Sequence, residues 1–184
     1  GTDNHPLVIF GESGSGKSAL MAKALEKITQ EYPNAAIISR FIGATPNSSD
    51  GRALLETLCH QIFRCYGADE STIPTDYKEL VKDLPKHLAL ATREKPLIMF
   101  LDALDQLSDT DHAKNLIWLP AELPDNVRIV VSTLPGKCLS VLEKKLPDSN
   151  LTKLEPMHIE EGNVLLDAWL KDAGRRLQDH QREE

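Results

Sequence analysis

The sequence predicts an α/β fold of three layers built on a parallel five-stranded sheet. Three observations carry that reading. An apolar run, Pro6 to Phe10, leads into the glycine-rich stretch Gly11-Glu12-Ser13-Gly14-Ser15-Gly16-Lys17-Ser18, and apolar residues then recur at helix period, at Leu20, Met21, Ala24, Leu25 and Ile28. A second apolar run, Pro96 to Leu101, ends in the acid Asp102. Further apolar strands alternate with amphipathic stretches to the end of the chain. Continuously apolar strands separated by helices are what a sheet covered on both faces requires.

The glycine-rich stretch matches the P-loop pattern, which arises by chance in roughly one chain in a hundred of this length. Its chemistry explains the spacing. Glycines accept the positive backbone angles of a tight turn. Successive N–H groups then turn inward as a nest for phosphate oxygens, and the following helix offers its unpaired N-terminal amides to the same anion. Lys17 can reach the β- and γ-phosphates, and the Ser18 hydroxyl can ligate Mg²⁺. The expected nucleotide contacts are therefore Gly11, Glu12, Ser13, Gly14, Ser15, Gly16, Lys17, Ser18 and Ala19.

The first helix should stop near Tyr32, because Pro33 disfavours helix in the residue before it. Ala35 to Ile42 reads as the second strand and Gly43 to Gly51 as a loop, with Ser49 or Asp50 capping the next helix. That helix carries Leu54, Leu55, Leu58, Ile62 and Phe63 on one face and ends at Gly67. A third helix starts at Thr75 or Asp76, and Pro85 should kink or split it. The strand ending in Asp102 resembles a Walker B segment, with the acid at the sheet edge where α/β folds bind ligands, placed to hold Mg²⁺. The other reading of Asp102 is a cap or turn residue. Asp105, three residues on, can position an attacking water or cap a short helix around His112 to Trp118; Gln106 can orient a water but cannot take its proton. Val127 to Thr133 is the fourth strand, and its Ser132 and Thr133 hydroxyls either face a γ-phosphate or close the turn. Lys137 to Leu146 is a helix, Leu151 to Leu154 the fifth strand, and a helical pattern with Val164, Leu165, Ala168, Trp169, Leu170 and Leu177 runs from Ile159 to the end.

With 184 residues the chain can bury one substantial core, and 41% hydrophobic and 27% charged content are those of a globular chain. A net charge of -7 argues against nucleic acid as the partner. No apolar run reaches the ~18 residues of a membrane span, and no signal peptide is visible. Cys59, Cys65 and Cys138 lack zinc spacing and read as buried thiols in a reducing, cytoplasmic setting. The chain opens at its first strand and closes inside a helical pattern, as a piece of a larger protein would.

Three stretches together resemble the NACHT group of STAND signal-transduction ATPases: the P-loop of Val8 to Ser18, Leu101-Asp102-Ala103-Leu104-Asp105, and Ile129-Val130-Val131-Ser132-Thr133-Leu134-Pro135. Arg40 to Thr45 and Trp118-Leu119-Pro120 are similar to the nephrocystin-like and telomerase-associated branch. The resemblance implies an ASCE-type strand order, 5-1-4-3-2, with Ser132 and Thr133 between the P-loop and Asp102. It implies a nucleotide-binding domain over residues 1–156 and the first helix of a helical domain over 157–184. It also implies an ATP/ADP switch with slow Mg²⁺-dependent hydrolysis, nucleotide-dependent homo-oligomers, and protein partners bound through domains outside this chain. ATP rather than GTP comes from the family, and no Asn-Lys-x-Asp guanine-reading motif is present. Two departures stand out. The second acidic pair of the family, Asp-Glu, is Asp105-Gln106 here, and Leu134 stands where an arginine often follows the fourth strand.

The reading is an ATP-binding switch with weak ATPase activity, in which Lys17, Asp105 and Gln106 are catalytic and Ser18 and Asp102 hold the metal. Its rivals are a non-hydrolysing scaffold, an AAA+-like ATPase acting on nucleic acid, and a small-molecule kinase. The kinase would need an arginine-rich lid, yet the only close arginine pair, Arg175-Arg176, falls in the terminal helix.

Overall fold

The computed structural model describes residues 4–45, 48–156, 159–172 and 174–175. Five strands form one parallel sheet: β1 (Leu7–Phe10), β2 (Ala36–Phe41), β3 (Leu97–Asp102), β4 (Val127–Thr133) and β5 (Leu151–Lys153). Their spatial order is β2-β3-β4-β1-β5, the expected 5-1-4-3-2. Every pairing is parallel, with Phe10 opposite Thr133 and Lys153, and Leu101 opposite Val131 and Arg40. All six residues of β3 are buried, which is why its sequence is apolar without alternation.

The two faces are covered unequally. On one, α2 (Gly51–Tyr66), α3 (Tyr77–Leu88) and α4 (Lys137–Lys145) enclose the larger core, which includes Val8, Leu97, Met99, Leu101, Ile129 and Val131. On the other, α1 (Lys17–Glu31) closes a small cluster of Ile9, Met21, Ile98 and Phe100, joined by half-buried Leu25, Ile28 and Val130. Met21 is the one apolar residue of α1 that is fully buried; Leu20, expected on its inner face, is 42% exposed. The last helix, α5 (Ile159–Asp172), leaves Val164 and Ala168 exposed; Leu177 and the side chains of Leu165 and Trp169 lie outside the described residues.

Local chemistry sets the boundaries. Asp50 caps α2 by accepting from the Ala53 N–H at 2.8 Å, and Gly67 ends it in a left-handed conformation. Asp76 caps α3 through the Lys78 and Glu79 amides. One expectation is narrowed and another needs correction. Of the two outcomes expected at Pro85, a split does not occur: α3 runs through it to Leu88, with Pro85 on the exposed face. Leu80, Leu84, His87 and Leu88 hold the other face in the core. The segment around His112 to Trp118 is not an α-helix but a 3₁₀ stretch over Thr110–Asn115. Asp111 and His112 are left-handed there. The Trp118 indole donates to the Ala113 carbonyl at 3.2 Å, and Ala113 packs against Gly51, so tertiary anchoring overrides the local helical pattern.

His87 lies edge-on to Phe63 with ring centroids 4.5 Å apart, and its Nδ1 is buried without a partner. Burial pushes its pKa below the ordinary 6.5, outweighing the opposing pull of Asp83, while Lys86 lowers it further. A lowered imidazole pKa means the unfolded chain binds the proton first. The contribution is complete above about 6.5 and is lost as pH falls toward the folded value. Thermal melts between about pH 7.5 and about pH 5.5 should show declining stability, and His87→Phe should flatten that decline. An unchanged slope in the variant would assign the pH dependence elsewhere.

Candidate functional site

The carboxyl ends of β1, β3 and β4 meet at one cleft of about 180 Å³, whose lining includes Ser13, Gly14, Lys17, Ser18, Asp102, Ala103, Asp105, Gln106, Ser132 and Leu134. Gly14 and Gly16 hold φ values of 80° and 90°, which explains glycine at both positions, and the space beside them is open. α1 begins at Gly16 with no side-chain cap and no acid in its first turn. Its leading amides, including those of Lys17, Ser18 and Ala19, are therefore available to an anion. Lys17 is 9% exposed and folds back over the loop, donating to the Gly11 carbonyl at 2.8 Å, the Glu12 carbonyl at 2.7 Å and Ser15 Oγ at 3.4 Å. Gly11 itself is pressed against β5's exit. A Cβ there would collide with the Leu154 carbonyl and lie 3.0 Å from Ser15 Oγ.

Asp102 is 4% exposed, and its Oδ1 accepts a short hydrogen bond from Ser132 Oγ. The same hydroxyl accepts from the Ala103 N–H at 2.9 Å. Ser132 thus spends its proton on the acid and steadies the turn after it. That turn is strained: Ala103 has φ 62°, a left-handed conformation that costs a non-glycine residue roughly 1–2 kcal/mol. It returns the chain toward the cleft so that Asp105 lines it. Asp105 Oδ1 accepts from the Leu134 N–H at 2.9 Å, and Oδ2 from Gln106 Nε2 at 2.6 Å. The stem of Gln106 rests on Gly43, where a Cβ would meet it at 2.9 Å and where φ is 81°.

The structure brings Ser13, Gly14, Lys17, Ser18, Asp102, Asp105, Gln106 and Ser132 into that lining, while Gly11, Glu12, Ser15, Gly16 and Ala19 are not among its lining residues. It does not bring Thr133 into that lining: the strand pleat turns its side chain away from Ser132, and its hydroxyl donates to the Leu134 carbonyl at 3.1 Å. Sequence reasoning missed the Leu134 N–H as the anchor of Asp105, the Gln106–Gly43 contact and the strain at Ala103. The first two join segments far apart in the chain, and none of the three leaves a local sequence pattern. Ser18 and Asp102 supply a hydroxyl and a carboxylate to one cleft, a donor set that fits a small hard cation such as Mg²⁺. The loop's open amides fit phosphate.

The family model for the NACHT domain matches residues 5–173. The chain is 38% identical over 140 residues to human NACHT and WD repeat domain-containing protein 2, an alignment covering 72% of this chain and 8% of that protein. It is 30% identical over 136 residues to mouse nephrocystin-3, covering 72% of this chain and 10% of that one. It therefore spans a tenth or less of the length of these relatives. Among solved structures, the Aeropyrum pernix ORC1 protein in complex with DNA is similar with a TM-score of 0.62 at 15% identity, covering 94% of this chain and 45% of that one. Domain III of the Thermotoga maritima replication initiation protein DnaA gives 0.52 at 17% identity, covering 95% and 65%. At such identities the likeness is one of fold.

Removing the Ser132 hydroxyl should leave buried Asp102 and the Ala103 amide without a partner, so Ser132→Ala should lose about 1–3 kcal/mol in urea unfolding. Gly11→Ala should also lower the melting temperature, because the β5 exit must move to admit a methyl group. Wild-type stability in both variants would refute the arrangement described.

Proposed function

The chain belongs to the NACHT domain family, and from that premise and the cleft's geometry we propose that it is an ATP- and ADP-binding switch module with slow Mg²⁺-dependent ATP hydrolysis. The observation that supports this most is the shared lining of one cleft by the P-loop, Ser18 and Asp102. In this reading the loop amides and Lys17 neutralise the phosphates, Lys17 exchanging the Gly11 and Glu12 carbonyls for phosphate oxygens. Ser18 and Asp102 would hold Mg²⁺, which when bound supplies further charge neutralisation at the phosphate oxygens. Ser132 orients Asp102, and Asp105 with Gln106 positions the water.

Slow turnover follows from the state of Asp105. Each of its oxygens already accepts one hydrogen bond, so an attacking water has to share the carboxylate with Gln106 and the Leu134 amide. The same observation supports the second reading, a scaffold that binds nucleotide without cleaving it. The proposal extends to the division of the chain: residues 1–156 form the nucleotide-binding domain, and α5, within 157–184, opens a helical domain. Assembly and partner binding then depend on nucleotide and on other domains, as the WD repeats named in one relative suggest. A cytoplasmic site of action belongs to the same reading; no helix among the described residues is long and apolar enough to cross a membrane. Although the similar ORC1 structure contains DNA, a net charge of -7 offers no comparable attraction to phosphate backbones here.

Mass spectrometry of nucleotide released from the purified full-length protein, followed by single-turnover hydrolysis with Mg²⁺, tests the reading. Retained ADP with slow cleavage of added ATP is expected. Bound ATP that is never cleaved would establish the scaffold instead, and rapid multiple turnover would contradict both. Lys17→Ala should abolish tight ATP and ADP binding in titration calorimetry, since loop and lysine act together on the phosphates. Nanomolar-to-micromolar affinity in that variant would overturn the site.

A further inference from the structure

A second concavity, about 310 Å³, lies between the end of β2 and the first turns of α2, lined by Arg40, Phe41, Ile42, Thr45, Leu54 and Thr57 among others. It shares no residue with the phosphate cleft. Arg40 is the single charged group in its described lining. The guanidinium is half-buried, and among the described residues its one hydrogen bond goes to the neighbouring Ser39 carbonyl at 3.0 Å, which engages one of its five donors. No carboxylate acts on it among the described residues, and desolvation alone lowers its pKa. A cation withdrawn from water without a counter-charge calls for an anion.

The strand that carries Arg40 adds a second demand. β2 is an edge strand, paired only with β3. The Ala36 and Ile42 amides bond toward β3, to Pro96 and Asp102 carbonyls. In a parallel ladder alternate residues point opposite ways, so the main-chain groups of Ile37, Ser39 and Phe41 point to the free edge. The Ala44 amide reaches back to the Phe41 carbonyl at 3.4 Å. Phe41 lines the same concavity as Arg40 and is 44% exposed. With the Ser39 and Phe41 carbonyls already accepting from Arg40 and Ala44, the outward amides at strand spacing remain to match the carbonyls of a polypeptide backbone. The apolar walls from Ile42 and Leu54 favour a side chain over a hydrated phosphate.

We propose that the free edge of β2 and the Arg40 cavity together form a docking site for an extended peptide segment of a partner protein, which adds as a strand and places an acidic side chain on Arg40. Exposed Phe41, beside Arg40 in the lining, sets the rest of the recognition: an apolar side chain of the same segment covers it. Main-chain bonds give the affinity and the acid gives the register. The site stands whether or not the phosphate cleft hydrolyses nucleotide.

The test is a titration of the ¹⁵N-labelled chain, followed by amide NMR, with acetyl-Thr-Val-Glu-Val-Thr-amide, its Gln counterpart, sodium acetate and inorganic phosphate. The Glu peptide should shift the Ile37, Ser39 and Phe41 amides saturably, and the Gln peptide should bind roughly ten-fold or more weakly, as loss of a charge-assisted hydrogen bond requires. R40Q should lose the discrimination between the two peptides, and R40E should prefer the peptide with Lys in place of Glu. Equal binding of Glu and Gln peptides, shifts confined to other elements, or no shifts at all would overturn the proposal. So would acetate or phosphate reproducing the peptide's affinity, which would mark a simple anion site. The comparison between peptides needs no protein variant, so a folding defect in an Arg40 substitution leaves the test decisive.

Discussion

The parallel placement of β1 between β4 and β5 is the constraint on which the site depends. Once Phe10 stands opposite Thr133 and Lys153, the loop that follows β1 must leave the sheet at the edge where β4 and β3 also end. The phosphate loop, Asp102 and Ser132 then converge without any of their elements bending toward the others. Gly11 makes the arrangement close-fitting, because the Leu154 carbonyl occupies the space a side chain would need. One backbone approach thereby fixes the height of the loop above the sheet, and through it the reach of Lys17.

Beyond that scaffold, the site is held by tertiary hydrogen bonds. Ser132, from β4, serves both Asp102 and the amide of Ala103, so one hydroxyl aligns the acid and stabilises the left-handed residue beside it. Asp105 is tied to β4 through Leu134 and, by way of Gln106, to the Gly43 turn after β2. The segment after β3 is thus a crosspiece between strands on either side of it. A shift in either neighbour changes the direction of a carboxylate at the centre, and this makes the crosspiece sensitive to events at both ends.

The sheet, its strand order and the phosphate loop were legible in the sequence because they rest on strong local signals: apolar runs, glycines at fixed spacing and caps such as Asp50 and Asp76. The strand order came through resemblance to a family, since nothing in a run of apolar residues states which strand will be its neighbour. The failures have a common physical cause. Pro85 leaves α3 unbroken while the opposite face of the helix is held in the core, a matter of burial and not of propensity. The helix expected near His112 gave way to the docking of Ala113 and Trp118. Ser132 and Thr133 looked equivalent as adjacent hydroxyls, yet the pleat turns them apart, and only Ser132 meets the acid. In each case the tertiary setting of the residue decided, and local propensity did not.

The unequal covering of the sheet has a thermodynamic consequence. α1 carries the phosphate loop at its start, but apart from Lys17 it contributes a single fully buried side chain, Met21, to a small core. Its folded state therefore draws little free energy from apolar burial, compared with α2 on the opposite face. Whatever anion binds its amides stabilises the helix directly, so ligand affinity and the order of α1 are two readings of one equilibrium. Amide exchange would register this as protection of α1 that rises with ligand concentration, while α2, anchored in the large core, stays close to its own limit.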